Sequence, residues 1–317
     1  MPDNNSTEYV HVNIKKIKGY PIARDSIVKA EKQGKFYAEV THMDRRIRPG
    51  VKKISKTQYK VLKTGEIRLY NFTEKKERDS LQKTFSYLRA LIRTNFEGGS
   101  KSQILLTLTF SDRNISTEKL YQDFKHFIER LRKHFPSHNL EYITVAEPQN
   151  DGTWHMHTMI KTTNQPTLYV KQDVLEKLWG NGITYVERFK SDDVGSYYVS
   201  YFTDLCDEAD HNTDNEFNTE INIESSSFSK KAKMIKHKHE KGSRLKFYPK
   251  NFKFFRCSKG IDRPTAEDIE YQNILDEYGS PVFTKAFEMR LTEIDGSERI
   301  INRFQKTTHK RKVSGVG

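Results

Sequence analysis

Residues 141–161 read EYITVAEPQNDGTWHMHTMIK and contain two β-prone runs on either side of Asn150-Asp151-Gly152, a sequence typical of a tight turn. Side chains two positions apart on a strand lie on the same face of a sheet. His155 and His157 are therefore expected on one face, and Met156 on the opposite, apolar face. The stretch predicts a β-hairpin that presents two neighbouring imidazoles.

A third ligand-type side chain lies at the end of the first run. Glu147 can approach the two histidines across the hairpin, and two imidazoles with one carboxylate suit a divalent ion such as Mn²⁺ or Mg²⁺. A lone His-x-His pair is more often an exposed polar strand face. His237 and His239 have the same spacing within KKAKMIKHKHEK, where clustered ammonium groups would repel a cation. We assign that second pair to a basic segment.

The surrounding periodicity indicates the fold class. Thr107 and Thr109 share one face of the run ILLTLTF, while its leucines and Phe110 take the other, as in a half-buried central strand. The predicted order over about 100 residues is β-α-β-β-α-β-α, which favours an α+β fold with a central, mainly antiparallel sheet, helices packed on one face, and extra N- and C-terminal elements. The predicted helices are 78–96, about 116–135, 168–179 and 194–205, and the predicted strands are 104–110, 141–147, 153–161 and 183–189.

Tyrosines cluster on the last of these helices, in GSYYVSYFTD. Tyr197 and Tyr201 are one helical turn apart and share a face. Tyr198 instead falls on the apolar stripe with Val194, and we expect it in the core. Tyr197 and Tyr201 can therefore present their hydroxyl groups to a site.

Charge is distributed unevenly along the chain of 317 residues, whose net charge is +13. Residues 1–100 and 230–260 are each strongly basic, 204–229 carries eight acids and no Lys or Arg, and 101–203 is neutral. This pattern indicates a neutral core whose flanks hold a polyanion such as nucleic acid. The chain contains no run of ~18 uncharged apolar residues, so no membrane-spanning segment is predicted. Two cysteines, Cys206 and Cys257, exclude a disulfide scaffold and fit the reducing cytoplasm.

Three motifs follow one another along the chain: LLTLT (105–109), WHMH (154–157) and YYVSY (197–201). In sequence and order they resemble the motifs of the HUH endonucleases, specifically rolling-circle replication initiators of plasmids and phages of low-GC Gram-positive bacteria. The stretches TGEIRLY, LWGNGITYVER and RLKFYPKNFKFFRCSKGI are also similar, so the resemblance covers roughly residues 60–263.

The resemblance implies a ferredoxin- or RRM-like palm and a metal-dependent nicking-closing endonuclease. Its metal, Mn²⁺ or Mg²⁺, would be held by Glu147, His155 and His157. Tyr197 or Tyr201 would attack single-stranded origin DNA, forming a 5′-phosphotyrosine and releasing a 3′-OH that primes synthesis by a host DNA polymerase. Tyr197 matches the first motif tyrosine. Ser200 stands where many single-tyrosine members have lysine, whereas the two-tyrosine arrangement is retained.

The basic segment beyond the acidic stretch interleaves aromatic residues with cations. This pattern is typical of single-strand binding, in which rings stack bases and cations hold phosphates. A β-hairpin with buried aromatics and solvated lysines would look the same. The predicted DNA-binding residues are Lys246, Lys250, Lys253 and Arg256. Residues 98–102, GGSKS, lack Walker A spacing, so a host helicase is expected to unwind the duplex.

We predict five segments and keep two other functions open. The segments are 1–77 (N-terminal basic flank), 78–205 (endonuclease core), 206–229 (acidic linker or loop), 230–263 (basic-aromatic DNA-binding extension) and 264–317 (C-terminal acidic segment and basic tail). One alternative is a relaxase or transposase with the same chemistry, although relaxases usually carry the histidines after the tyrosine. The other is a non-enzymatic origin-binding repressor. The expected location is the bacterial cytoplasm, with no membrane partner.

Overall fold

The chain forms two compact units, Met1–Asn95 with Asp262–Gly317, and Phe96–Ile261. The computed structural model describes residues 11–46, 50–55, 57–69, 74–149, 151–191, 193–203, 248–249, 252–292 and 296–311. Each unit contains its own antiparallel sheet. The predicted α+β class with mainly antiparallel sheets is confirmed.

The first unit combines segments from both ends of the chain. Its elements are β1 (His11–Ile17), β2 (Ile27–Gln33), β3 (Tyr37–Met43), β4 (Val51–Lys53), β5 (Gln58–Val61), β6 (Ile67–Leu69) and α1 (Glu74–Asn95), followed later in the chain by β12 (Thr265–Glu270), α5 (Tyr271–Tyr278), β13 (Pro281–Thr292) and β14 (Glu298–Lys310). Six strands form an antiparallel sheet in the order β1-β13-β14-β3-β2-β12, and β4-β5-β6 form a separate small sheet.

Helices contact this six-stranded sheet from both sides. The apolar side chains Val28, Ala30, Ala38 and Val40 point to one face, where α5 buries them with Ile274 and two tyrosines. At the turn between β2 and β3, the end of α1 meets the opposite face. There the Arg93 guanidinium lies 3.2 Å from Oε1 of Gln33 and 4.3 Å from the centre of the Tyr37 ring.

The second unit follows the predicted order of elements. These are β7 (Gln103–Thr109), α2 (Thr117–His134), β8 (Leu140–Pro148), β9 (Trp154–Thr162), α3 (Gln172–Trp179), β10 (Thr184–Glu187), α4 (Val194–Thr203) and β11 (Phe255–Cys257). The sheet order is β10-β7-β9-β8-β11, and every neighbouring pair is antiparallel. The hairpin at 141–161 is confirmed as β8 and β9, and Gly152 adopts a positive φ of 85° in its turn.

The core of the second unit lies between its sheet and α2 with α3. Ser116 accepts a hydrogen bond from the Lys119 backbone N–H and caps α2, which then buries the apolar stripe expected from its spacing. Met156, Leu106 and Leu108 point into this core. The Trp179 indole N–H donates to the Thr109 carbonyl oxygen over 2.7 Å, which ties the end of α3 to the end of β7.

The last strand of the second unit comes from the basic-aromatic segment. Within the described residues, Tyr248 and Phe252 pack against the core, and the Tyr248 hydroxyl donates to the Ala146 carbonyl oxygen over 3.0 Å. For these two rings, packing rather than an open stacking surface is observed. The five-segment division stays a prediction, because much of 206–263 lies outside the described residues. Among described helices, none is long and apolar enough to cross a membrane.

Candidate functional site

Strand pairing brings the predicted metal ligands together. In the register of the sheet, Glu147 on β8 lies directly opposite His155 on β9, and Thr109 on β7 flanks His155 from the other side. His157 pairs with Thr107 in the same way. Because residues two apart share a face, all of these side chains belong to the sheet face opposite Met156 and the core between the sheet, α2 and α3.

The three ligand-type side chains form a compact cluster. One ligand atom from each of Glu147, His155 and His157 lies within 4.8 Å of the others. The Nε2 atom of His157 is 2.8 Å from Oε2 of Glu147, and both residues are buried, at 3% and 2% exposure. The His155 ring is half-buried, with its centre 6.1 Å from that of His157. The cluster therefore has a closed inner side and a more accessible side at His155.

A hydroxyl group completes the environment of His157. The Oγ1 atom of Thr107 lies 3.3 Å from Nδ1 of His157, on the side of the ring away from Glu147. A carboxylate can only accept, so the neutral imidazole carries its proton on Nε2 and accepts at Nδ1 from the hydroxyl. If Nε2 instead bound a cation, the proton would move to Nδ1 and Thr107 would accept it. A hydroxyl can serve both states, because it is donor and acceptor at once.

Both imidazoles are neutral at physiological pH. Burial, together with the smaller effect of the neighbouring His157, lowers the pKa of His155 to about 4. Burial also lowers the pKa of His157 to about 4. Neutral imidazoles offer a lone pair, which a metal ligand requires. Two neutral nitrogens and one carboxylate, within reach of one another, fit a divalent cation such as Mn²⁺ or Mg²⁺, and the identity of the metal stays open.

The tyrosine helix α4 lies in the same unit as the cluster. The Tyr197 side chain is 48% exposed, whereas Tyr198 is buried at 6% and packs edge-on against Phe189. The expected division between an outward and a core tyrosine on this helix is thus observed for these two residues. Tyr201 lies on α4 one turn further along.

Two of the four predicted DNA-binding residues fall within the described chain. Lys253 and Arg256 are exposed, and the Arg256 guanidinium lies 3.5 Å from the centre of the Tyr121 ring. The Tyr121 hydroxyl donates to the Lys253 carbonyl oxygen over 2.7 Å, which anchors this segment to α2. Lys246 and Lys250, and the second pair His237 and His239, lie outside the described residues.

Sequence comparison adds an independent observation to this geometry. Residues 103–205 match the family model of the replication-associated protein ORF2/G2P. The matched stretch is about a third of the chain and runs from β7 to the end of α4, so it contains the whole cluster and both tyrosines. The match supports a role in the initiation of DNA replication, with DNA as partner. Neither the search of curated proteins nor the search of solved structures found a significant match.

The sequence analysis missed one member of the site. It described Thr107 as part of an ordinary central strand, although the structure places its hydroxyl on His157. The signal was present in the alternation of ILLTLTF, which assigns Thr107 to the polar face. That face became the site only once β7 was known to pair with β9, a pairing between segments about 50 residues apart.

Proposed function

We propose that this protein is a metal-dependent, site-specific endonuclease of the HUH type that nicks single-stranded origin DNA and starts rolling-circle replication of a plasmid or phage. The observation that carries the proposal is the cluster of Glu147, His155 and His157 within the stretch that matches a replication-associated family. The cluster lies on the sheet face opposite the α2–α3 core, and its half-buried member His155 gives it an accessible side. This is where a substrate phosphate could reach it.

The chemistry follows from what the chain supplies. A bound divalent cation, held by Glu147, His155 and His157, would polarise a scissile phosphate and stabilise the charge that develops on it. The hydroxyl oxygen of Tyr197 or Tyr201 would form a bond to phosphorus while the bond to the 3′ oxygen breaks. The phenol loses its proton, and the released 3′ oxygen takes up a proton to become the 3′-hydroxyl. A phosphotyrosine ester conserves the phosphodiester bond, so the reverse reaction re-joins DNA without a nucleotide cofactor.

The neutral imidazoles and the buried carboxylate have distinct tasks in this proposal. His155 and His157 act as ligands and not as proton donors, since burial lowers the pKa of both. Thr107 orients His157. The exposed cations Lys253 and Arg256, with Lys246 and Lys250, would hold phosphates of the DNA flanking the nick. Unwinding and synthesis would come from a host helicase and DNA polymerase in the bacterial cytoplasm.

The decisive experiment uses the full chain, a single-stranded origin oligonucleotide and Mn²⁺. We expect a protein–DNA adduct that survives denaturation, is abolished by EDTA, and is lost in the double variant Tyr197→Phe/Tyr201→Phe. An adduct that persists in the double variant would rule out the tyrosine nucleophiles. Cleavage without an adduct would point to a hydrolytic nuclease instead.

A further inference from the structure

The six-stranded sheet of the first unit has an open region that the proposed nicking reaction does not use. Its α5 side is defined by Val28, Ala30, Ala38 and Val40, so the neighbouring positions on each strand point to the other side. On that other side α1 meets the sheet near Gln33 and Tyr37, at the β2–β3 turn. Further from this turn the face is accessible, with Met43 at 44% and Ile14 at 61% exposure.

A stacked aromatic pair stands in the middle of this open region. Phe287 on β13 and Phe304 on β14 are cross-strand partners, with ring centres 5.0 Å apart and planes inclined by only 21°. Both rings are partly exposed. Cross-strand aromatic pairs stabilise sheets. Rings that belonged to a hydrophobic core would, however, be covered by other side chains. Here they present an aromatic surface to solvent.

Lysines border this aromatic pair on two sides. Lys16 on β1 pairs with Phe287, and Lys285 and Lys306 pair with each other one step along the same face. Lys29 continues that second row beyond Thr41. Over the part of the chain that the structure describes, none of these four lysines forms an ion pair; Lys16, Lys29 and Lys306 are exposed, and Lys285 is partly buried.

The acidic residues on the same face lie on β2, β3 and the edge strand β12. Glu39 lies 3.7 Å from the Arg93 guanidinium, Glu31 accepts from Gln33, and Asp268 pairs with Arg46 over 2.9 Å. These groups are near the β2–β3 turn or on the edge strand, away from the phenylalanines. Asp268 is also the cross-strand partner of Lys29, whereas Lys16, Lys285 and Lys306 have no acidic cross-strand partner. The centre of the region therefore combines stacked rings with three cations that no directly opposite carboxylate neutralises.

We propose that this region, named the Phe287–Phe304 platform and comprising these two rings with Lys16, Lys29, Lys285 and Lys306, binds single-stranded DNA without sequence preference. Unpaired bases stack on the rings, and the lysines contact the phosphates. Duplex DNA has no exposed base faces, so the rings favour an unpaired strand. The platform lies in the first unit and does not depend on the metal or the tyrosines. The proposal therefore stands or falls separately from the nicking activity.

Lysine footprinting on the full chain in EDTA tests the platform directly. With oligothymidylate bound, we expect Lys16, Lys285 and Lys306 to be protected from acetylation, while Lys15, on the other face of β1, reacts as in the free protein. Equal reactivity of Lys15 and Lys16 with DNA bound would overturn the proposal. EDTA prevents nicking, so the result does not depend on whether the chain is an endonuclease.

Variants then separate stacking from charge. Phe287→Leu/Phe304→Leu keeps apolar packing but removes the rings. We expect this variant to bind oligothymidylate roughly tenfold more weakly, as measured by the protection of the footprinted lysines. Lys16→Gln/Lys285→Gln/Lys306→Gln should reduce the salt dependence of binding, lowering the slope of log affinity against log salt by about 2. Tyr169→Leu, an exposed ring in the second unit, and Lys15→Gln are the matched controls.

Two outcomes would contradict the single-strand assignment. If the leucine pair weakens hairpin duplex and oligothymidylate equally, the surface binds DNA without reading unpaired bases. If both platform variants show the same lysine protection and the same oligothymidylate affinity as the controls, the two rings only stabilise the sheet and do not bind DNA. Thermal unfolding checks that each variant folds. Should the leucine pair fail to fold, the lysine variant, two of whose three positions are exposed, still decides the question.

Discussion

The Nε2 atom of His157 lies 2.8 Å from Oε2 of Glu147, in a part of the sheet that excludes almost all solvent from both side chains. Burying a carboxylate beside an imidazole is costly unless further interactions compensate. Burial at the same time keeps the imidazole neutral, which the lowered pKa of His157 reflects. A divalent cation would satisfy both groups at once, and this is the physical reason for assigning the cluster to a metal.

Replacing Glu147 by glutamine tests the role of its charge. Glutamine keeps the shape and can still accept a hydrogen bond from His157, but it removes the negative ligand. We expect Mn²⁺ affinity, measured by calorimetric titration, to fall more than about 100-fold, since even losing a supporting residue around a metal ligand costs 10–100-fold. Glu141→Gln on the same strand, whose carboxylate accepts from the Gly260 N–H, is the control and should bind normally. Tight binding by Glu147→Gln would place the metal elsewhere.

Thr107 is expected to act on the metal through His157. Thr107→Val preserves the β-branched shape and removes the hydroxyl that lies 3.3 Å from Nδ1. We predict an affinity for Mn²⁺ about tenfold lower, because the metal-bound imidazole loses its acceptor. Thr109→Val provides a comparison on the same face of β7, since its hydroxyl already donates to the Ile183 carbonyl oxygen. Equal effects of the two substitutions would show that Thr107 has no special role.

The sequence predicted the second unit far better than the first. Its motifs are local: the hairpin, the apolar stripe of α2 and the alternation around His155 each follow from residues close together in the chain. The first unit depends on pairing between distant segments, as in His11 of β1 with Thr292 of β13. Strand periodicity defines which residues share a face, but it does not say which strand lies alongside. For the same reason the sequence shows both phenylalanines but does not predict that Phe287 and Phe304 are cross-strand partners.

The turn between β2 and β3 offers a stability test of how α1 is seated. Gly34 has a φ of 68°, and a Cβ atom added there would lie 2.5 Å from the Arg93 carbonyl oxygen. Gly65 also has a positive φ, of 75°, but its Cβ would meet only the end of the Lys60 side chain, at 3.9 Å. Both alanine variants bear the strain of the left-handed backbone, about 1–2 kcal/mol.

Gly34→Ala should therefore destabilise the first unit beyond this amount, by a further ~1–3 kcal/mol for overpacking against rigid backbone. Denaturant unfolding of both variants measures the difference. If Gly34→Ala and Gly65→Ala lose the same free energy of unfolding, α1 must move away from the turn without cost.

His309 gives the first unit a dependence on pH. The side chain is fully buried; Nδ1 donates to the Gly279 carbonyl oxygen over 2.8 Å, and Nε2 accepts from the Thr307 hydroxyl over 2.9 Å. Burial lowers the pKa of His309 in the folded state, although the Gly279 carbonyl partly opposes this. Above pH ~6.5 the imidazole is neutral in both the folded and the unfolded state, and titration of His309 costs no stability. As the pH falls towards the folded pKa, the unfolded chain takes up the proton first and stability is lost.

In that window the free energy of unfolding should fall by up to about 1.4 kcal/mol per pH unit through this group. His309→Gln, which retains a donor and an acceptor, should flatten the profile below pH ~6.5 while leaving the slope at higher pH unchanged. Denaturant unfolding across the range measures both slopes. An identical profile in the variant would assign the acid sensitivity to other groups.

The tyrosines of α4 allow the nucleophile to be assigned with an internal control. Tyr198 is buried at 6% exposure and packs against Phe189, whereas Tyr197 is exposed on the same helix. Tyr198→Phe removes only a hydroxyl and should form the covalent DNA adduct at the wild-type rate. Tyr197→Phe should lose the first adduct by several orders of magnitude, because a phenylalanine ring carries no nucleophile.

Tyr201→Phe distinguishes one-tyrosine from two-tyrosine chemistry. If the two hydroxyls alternate, this variant still forms the first adduct on an origin oligonucleotide but fails to transfer the strand to a second one. Quantifying adduct and transfer product on the same denaturing gel gives both rates. Normal strand transfer by Tyr201→Phe, together with loss of the adduct in Tyr197→Phe, would mean that a single tyrosine suffices and that the second is not a nucleophile.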